Sequence, residues 1–431
     1  MIATAIGTGQ PDASKGRWVI WAALSKLSTG WVSPEVYGGE RARVPKKVAG
    51  GLCDDAKVGA FQAAIFAKLR GIMRMGNRWS VGLAILLAMS AVAGAQGRSS
   101  AGNASSGKGD LQVYFVDVEG GQSTLFVMPS GESLLVDTGN PGGRDAARIV
   151  AVCKLAGVTR IDTLLVTHYH TDHVGGLPEV AKMIPVGRFI DHGVNRQTEG
   201  AEGNATVAVY DAYQKVLADT HAEHLTVKPG DVLPVKGMRV EVVSADGEVI
   251  AKPLAAGGEQ NPACASSPEK EAENSENDRS IGMVLTFGKL RILDMGDLTW
   301  AKERGLMCPV DKLGKVDVYV VSHHGLDRSG SPAFVDAIAP RVAIEDNGPH
   351  KGGAPSTYET IEGTSRLKDI WQLHTAEVPG AKNVAESRIA NLPATPASPD
   401  AANYIKLTGR ADGSFSVTNG RTGATVDYPA K

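Results

Sequence analysis

From residue 111 onward, short apolar runs alternate with stretches in which apolar residues recur at helical spacing. Leu111–Val118, Thr124–Met128 and Ser133–Val136 are rich in Val, Leu and Phe and are separated by glycine-containing turns. This pattern predicts three adjacent antiparallel strands. Asp145–Leu155 has a helical period and is followed by Gly157, which predicts a helix that ends at a glycine cap.

The alternation continues through the rest of the chain. Further strands are predicted at Thr163–Thr167, Val240–Val243, Ser280–Phe287, Leu290–Leu293, Val316–Val321 and Arg341–Ile344, and helices at Leu177–Ile184, Thr206–Asp219 and Pro332–Ile338. Tyr404–Tyr428 alternates around glycine turns and predicts a terminal pair of strands. Because the strands fall in two groups with helices between them, we expect one layered α/β domain over residues 111–431. Residues 246–279, acidic and rich in Ala, Pro and Asn, predict a long surface loop.

Residues 75–95 have the pattern of a cleaved secretory signal. Arg78 precedes an apolar run at Val81–Val92, and the small residues at 93–95 are typical of a cleavage site, with Gln96 as the new N-terminus. As a helix the run would rise about 18 Å, too short to cross about 30 Å of hydrocarbon, so we expect no stable membrane anchor. A buried helix or a short anchor are the alternatives. We therefore expect a protein exported to the periplasm or the cell exterior.

The signal does not stand at the start of the chain. Residues 1–74 precede it and are interpreted as a disordered upstream extension that arises from a misassigned start of translation. Residues 96–110 are rich in Gly and Ser and predict a flexible linker into the folded domain.

Charge and cysteine content narrow the class of protein. The 431 residues include 45 Lys and Arg against 47 Asp and Glu, a net charge of −2, which excludes a general nucleic-acid binder that relies on a basic surface. Four cysteines without a CxxC motif exclude a disulfide scaffold and a cysteine zinc finger. After export, Cys264 and Cys308 could pair while Cys153 stays a buried thiol; two unpaired loop thiols are the alternative.

The residues with the strongest chemical signal follow the strand predicted at Thr163–Thr167. Residues 168–173 read His-Tyr-His-Thr-Asp-His, and two glycines at 175–176 permit a tight turn into the next helix. Imidazole and carboxylate groups are ligands that suit Zn²⁺ or a similar first-row ion. His168 and His170 share one face if the backbone is extended, while Asp172 and His173 can turn toward a second ion. Zinc is expected, and Mn²⁺ or Fe²⁺ is the alternative.

This H-x-H-x-D-H pattern resembles the signature of the metallo-β-lactamase superfamily, and the resemblance extends from about Leu111 to Leu373. Asp137 in the segment SLLVDTG, Asp297 in ILDMGDL and the His-His-Gly at 323–325 resemble three further motifs of that family. The resemblance implies an αββα sandwich, an α/β fold with its site formed by strand-end loops at one edge.

The same resemblance implies a dinuclear site. His168 and His170 would hold one ion, Asp172, His173 and His324 would hold the other, Asp297 would bridge them, and Asp137 would support the metal loop from behind. His323 is the alternative ligand to His324 and would otherwise contact the substrate. Asp172 and His323 are the expected catalytic residues.

One departure from the family pattern points to a subgroup. The further histidine that these enzymes usually carry before the bridging aspartate is missing, and residues 276–280, Glu-Asn-Asp-Arg-Ser, precede a strand instead. This arrangement is similar to the extracytoplasmic hydrolase domain of the competence channel ComEC and to the pneumococcal phosphorylcholine esterase, both of which act on phosphodiesters. Asn277 could complete the site; a loop cap is its alternative role.

Other polar residues are candidates for contact with the substrate. They are His192, Asn347, His350 and Lys351, and a structural role is the alternative for each. The loop of the last three combines a cation with several glycines, so anion binding is conceivable.

We therefore expect a secreted hydrolase in which two ions lower the pKa of a shared water and bind the phosphoryl oxygens of a small-molecule or phosphodiester substrate. The rivals are a lactone, thioester or lactam hydrolase of the same fold and a non-catalytic binding protein. The oligomeric state is not predicted by the sequence.

Overall fold

The computed structural model describes residues 109–395 and 402–431, and the predicted signal and upstream extension lie outside them. The described strands, in chain order, are Leu111–Phe115 (β1), Thr124–Val127 (β2), Ser133–Val136 (β3), Thr163–Leu165 (β4), Arg188–Asp191 (β5), Glu223–Thr226 (β6), Arg239–Ala245 (β7), Glu248–Val249 (β8), Gly282–Phe287 (β9), Leu290–Asp294 (β10), Val318–Val320 (β11), Val342–Glu345 (β12), Asp369–His374 (β13), Ile389–Asn391 (β14), Ile405–Gly409 (β15), Phe415–Asn419 (β16) and Thr425–Tyr428 (β17).

The α-helices lie between the strands. Within the described residues they are Arg144–Leu155 (α1), Thr171–Val174 (α2), Leu177–Met183 (α3), Gly200–Thr220 (α4), Trp300–Met307 (α5), Pro332–Ile338 (α6) and Pro355–Glu362 (α7). None of the helices in this part of the chain is both long enough and apolar enough to cross a membrane.

The strands form two sheets, one with the order β17-β16-β15-β1-β2-β3-β4-β5-β6 and the other with the order β14-β13-β12-β11-β10-β9-β7-β8. β1, β2 and β3 pair as antiparallel neighbours, as the sequence predicts. From β3 to β6 and from β10 to β14 the neighbouring strands run parallel. The carboxyl ends of parallel strands meet at one edge of a sheet, and both sheets therefore present loops there.

Three hydrophobic clusters give the layers of the fold. One cluster joins the inner faces of the two sheets, with Phe126 and Leu285 among its fully buried members. A second packs the outer face of the first sheet against α1, α3 and α4. The third packs the outer face of the second sheet against α5, α6 and α7. The order helix, sheet, sheet, helix is the αββα sandwich that the family resemblance implies.

Several elements differ from the sequence-based expectation. α4 begins at Gly200, six residues before the predicted start, and Tyr404–Tyr428 contains three strands rather than a pair. The strands β5, β6, β8, β13 and β14 and the helices α2, α5 and α7 were not predicted. β6 is largely exposed, and the apolar residues of α5 stand in pairs at its two ends, so neither element has a clear hydrophobic period.

The segment 246–279 is only partly the surface loop that its composition predicts. It contains β8 and two single turns at Pro262–Ala265 and Asn277–Arg279, and its residues 275–278 are buried. A disulfide between Cys264 and Cys308 attaches it to the end of α5, and Cys153 is a buried free thiol whose pKa burial raises to about 12. The expected pairing is confirmed, and the far end of the segment reaches the polar edge of the sandwich.

Candidate metal centre

The candidate residues follow five strands at one edge of the sandwich. Asp137 comes directly after β3, and residues 168–173 follow β4. Asp297 follows β10, residues 323–324 follow β11, and Asp346 follows β12. Both sheets contribute, because each has a parallel run whose carboxyl ends face this edge.

The first group of ligand-type side chains contains His168, His170 and Asp297. His168 Nε2 lies 3.1 Å from His170 Nδ1 and 4.0 Å from Asp297 Oδ2. Thr167 Oγ1 lies 3.1 Å from His168 Nδ1 and gives its own proton to Asp137 Oδ2 at 2.6 Å. The Thr167 oxygen must therefore accept from His168 Nδ1–H, which leaves a lone pair on His168 Nε2.

The second group contains Asp172, His173, His324 and Asp297. His173 Nε2 lies 3.2 Å from His324 Nε2 and 3.3 Å from Asp297 Oδ1. His173 Nδ1 donates to Asp137 Oδ2 at 2.7 Å, so this imidazole also turns its other nitrogen inward. His324 Nε2 is 3.3 Å from Asp172 Oδ2, and its Nδ1 is 3.5 Å from Asp346 Oδ1.

The donor atoms of the two groups fit bound cations. In each group two imidazole nitrogens face each other at hydrogen-bond distance, and among the described residues Asp297 Oδ1 is buried without a hydrogen-bond partner. Such an arrangement is unfavourable without a cation, because burying unpaired acceptors costs about 1–3 kcal/mol each. Nitrogen and carboxylate donors are the set that zinc and similar ions prefer.

The electrostatics of the second group agree with this fit. Burial opposes charge on His173, but Asp297, Asp172 and Asp137 outweigh it and raise the pKa of that imidazole to about 10. Burial also opposes the charge of Asp297, yet His323, His173 and His324 hold the pKa of its carboxyl well below the usual value. The site is thus built around ionised carboxylates that attract positive charge.

His323 and His324 both approach Asp297. β11 ends at Val320, and both histidines have left-handed backbone conformations, with φ of 56° and 57°. His323 Nε2 lies 3.4 Å from Asp297 Oδ2, and its Nδ1 is 3.2 Å from Ser329 Oγ. The strand therefore ends before the pair, which removes the alternation that would send the two rings to opposite faces.

An open cavity of about 250 Å³ borders both groups. Side chains with ligand or charge character that line it are His170, Asp172, Glu202, Asn277, Asp297, His323, Arg328 and Lys351. Within the part of the chain that the structure describes, Asn277 Oδ1 is buried without a hydrogen-bond partner, and Lys351 Nζ contacts Asp172 Oδ2. Arg328 forms a two-bond ion pair with Glu273 of the segment 246–279, at 2.7 and 2.6 Å. Both cations therefore stand beside carboxylates at the mouth of the site.

Three of the expected substrate contacts, His192, Asn347 and His350, do not line this cavity. His192 is buried behind the site with its Nε2 2.9 Å from Glu276 Oε2, so it does not line the cavity. Asn347 uses its amide to hold the backbone of His374. His350 is exposed and lines a different cavity, of about 280 Å³, with His374.

The sequence analysis did not identify the residues that contact the outer ring nitrogens of the histidines, the nitrogens that point away from the metal positions. Thr167, Gln197, Ser329 and Asp346 each lie within 3.5 Å of the outer nitrogen of one histidine. Thr167 and Asp346 stand next to motif residues, so proximity along the chain could have indicated them. Gln197 lies 27 residues from His170, and no local pattern marks it.

The fold and site define the class of protein. Residues 116–250 match the family model described as the metallo-beta-lactamase superfamily. Residues 116–250 are therefore similar to a metallo-beta-lactamase domain, and two groups of side chains that could hold metal ions lie at the same edge of the fold.

Within that class the chain is similar to ComEC-like competence proteins, which confirms this part of the resemblance. ComE operon protein 3 of Bacillus subtilis is 23% identical over 252 residues, covering 54% of this chain and 28% of that protein. Recombination protein 2 of Haemophilus influenzae is 24% identical over 260 residues, covering 60% of this chain and 27% of that protein. The chain thus spans less than a third of these relatives. The resemblance to the phosphorylcholine esterase stays an expectation.

Among solved structures, the metallo-beta-lactamase fold protein YhfI from Bacillus subtilis aligns with a TM-score of 0.37 and 14% identity. The alignment covers 61% of this chain and 95% of that one.

The shared position of Asp297 leads to a test of the two groups. Asp297→Asn removes the charge that faces both groups, so we expect loss of bound metal from both. Asp137→Asn acts only through Thr167 and His173 and should weaken metal binding by roughly 10–100-fold. Metal content after gel filtration, measured by plasma emission spectrometry, distinguishes the two results. Full metal content in the Asp297 variant would show that its carboxylate is not a ligand.

Proposed function

We propose that this chain is an exported hydrolase that holds two zinc ions and cleaves phosphodiesters. The observation that carries the proposal is that two ligand groups share Asp297 and open on one cavity whose wall includes the cations Arg328 and Lys351. One ion would be held by His168, His170 and Asp297, and the other by Asp172, His173, His324 and Asp297. When bound, such ions supply an activated water molecule and neutralise charge on substrate oxygens.

The cations of the cavity wall favour an anionic substrate. A phosphodiester carries one negative charge, and Arg328 and Lys351 provide fixed donors for its non-bridging oxygens. Their carboxylate partners, Glu273 and Asp172, keep both side chains in place at the cavity. A neutral lactam or lactone would gain less from these two charges.

His323 is placed to act on the substrate. It lines the cavity, and it belongs to neither ligand group. Ser329 Oγ contacts its Nδ1. Its Nε2, on the side of Asp297, is therefore available for a hydrogen bond to the leaving-group oxygen of the substrate. Asn277 presents an unpaired buried oxygen at the same cavity, where the usual additional histidine of the family is missing. We assign it to binding of an ion or of the substrate.

The resemblance to known phosphodiester hydrolases supports the same substrate class. It rests on residues 276–280 and on the motifs at Asp297 and at 323–325. The balanced net charge of −2 favours a small phosphodiester over a long nucleic acid.

A panel of substrates tests the proposed class. The zinc-loaded protein should hydrolyse bis-p-nitrophenyl phosphate or a phosphorylcholine ester faster than nitrocefin or an acyl-homoserine lactone, as measured by initial rates. Lys351→Met should lower phosphodiester turnover by about 10–100-fold, the loss of one hydrogen bond to a charged group. The matched control is Lys382→Met, because Lys382 pairs with Glu359 away from the site. Efficient lactam or lactone cleavage without phosphodiester cleavage would overturn the class.

The two adjacent histidines should respond differently to substitution. His324→Ala removes a member of the second ligand group and should abolish activity together with metal binding. His323→Ala should lower turnover while the metal content stays near that of the unmodified protein. Parallel measurement of metal content and of rate separates the roles, and the reverse pattern would exchange them.

A further inference from the structure

Gln197 lies in the loop between β5 and α4, and its side chain meets three groups at once. Its Oε1 is 3.0 Å from His170 Nε2 and accepts the backbone N–H of Glu276 at 2.8 Å. Its Nε2 donates to Glu202 Oε2 at 2.9 Å. The backbone N–H of Gln197 in turn donates to Asn195 Oδ1, which holds the loop in a tight turn.

These contacts determine the orientation of the amide. The N–H of Glu276 requires an acceptor, and the carboxylate of Glu202 requires a donor. A flipped amide would place NH₂ against the N–H and oxygen against the carboxylate, so both contacts would become repulsive. The atom that faces His170 is therefore the oxygen.

An amide oxygen can only accept a hydrogen bond, so His170 must carry its proton on Nε2. The lone pair of this imidazole is then on Nδ1, the atom that lies 3.1 Å from His168 Nε2. We propose that Gln197 is a positioning residue that keeps His170 in the Nε2–H form and thereby aims its Nδ1 at the first metal position. This inference rests on the metal centre of the proposed function.

The segment 246–279 holds Gln197 in this position. Glu276 is fully buried, and its carboxylate accepts from the backbone N–H of Arg196 at 2.9 Å and from that of Tyr169 at 3.3 Å. Along the chain, Tyr169 lies between His168 and His170, the two histidines of the first group. The same residue, Glu276, thus holds both the loop that carries Gln197 and the backbone that carries His170.

The first metal position depends on this contact more than the second does. Carboxylates stand behind the second group, where Asp137 lies against His173 and Asp346 lies against His324. Among the described residues, the acceptors within 3.5 Å of the outer nitrogens of the first group are neutral, Thr167 and Ser280 for His168 and Gln197 for His170, and the exposed carboxylate of Glu202 lies farther away, at 3.7 Å from His170 Nε2. Loss of Gln197 should therefore affect one ion and leave the other bound.

The test uses Gln197→Leu, Gln197→Glu and the control Gln214→Leu, which makes the same change on α4 instead of in the loop before it. Gln197→Leu should weaken binding of one zinc ion by roughly 10–100-fold, so that the metal content falls from about two to about one per chain. Gln197→Glu keeps the acceptor that faces His170, and the side chain of Glu202, which is 62% exposed, can turn away from the new carboxylate, so this variant should retain both ions, as should the control. Zinc stoichiometry and affinity are measured by competition with a chromophoric chelator, and the retained ion shows that the variant is folded.

A second readout does not depend on metal. In the metal-free protein, nitrogen chemical shifts of labelled histidine should show the Nε2–H form of His170 in the unmodified chain and a mixture of both forms in Gln197→Leu. The inference is overturned if Gln197→Leu keeps both ions and the Nε2–H form, or if Gln197→Glu loses metal as Gln197→Leu does. A protein that binds two ions but cleaves no phosphodiester would contradict the proposed substrate alone, and these two readouts would still decide the role of Gln197.

Discussion

The carboxylate of Asp297 is the group around which the polar edge of this fold is arranged. Its Oδ1 faces His173 and His324, at 3.3 and 3.4 Å, while its Oδ2 faces His323 at 3.4 Å and His168 at 4.0 Å. Oδ1 is buried and, among the described residues, forms no hydrogen bond, although two imidazole nitrogens lie close to it. A buried carboxylate that is shared in this way is stable only with compensating positive charge.

The residue before Asp297, Gly296, has a backbone conformation and close neighbours that do not suit a side chain. Gly296 has a φ of 53°, and a Cβ there would lie 3.0 Å from Cβ of Thr167, the residue that orients His168. The N–H of Asp297 donates to Ser280 Oγ, and the N–H of Ile281 donates to the carbonyl of Thr167. Loops from both sheets therefore meet directly at this carboxylate, and the packed core between the sheets sets their separation.

The sequence predicts those features whose residues stand close together along the chain. The antiparallel strands β1–β3, the cluster at 168–173 and the strand-end motifs at Asp297 and at 323–324 each stand within a few residues. Gln197 and Arg328 are placed at the site by contacts between segments that are distant along the chain, and 79 residues separate Gln197 from its partner Glu276. His192 shows the converse, because the sequence leaves both a substrate contact and a structural role open, and only the fold places this histidine against Glu276.

The central claim is that Asp297 lies between two metal positions. Anomalous diffraction from crystals grown with zinc, recorded on both sides of the zinc absorption edge, tests it most directly. The account predicts two anomalous peaks per chain, one beside His168 and His170 and the other beside His173 and His324, with the Asp297 carboxylate between them. No peak at this edge of the sandwich, or a single peak that leaves one ligand group unoccupied at saturating zinc, would contradict it.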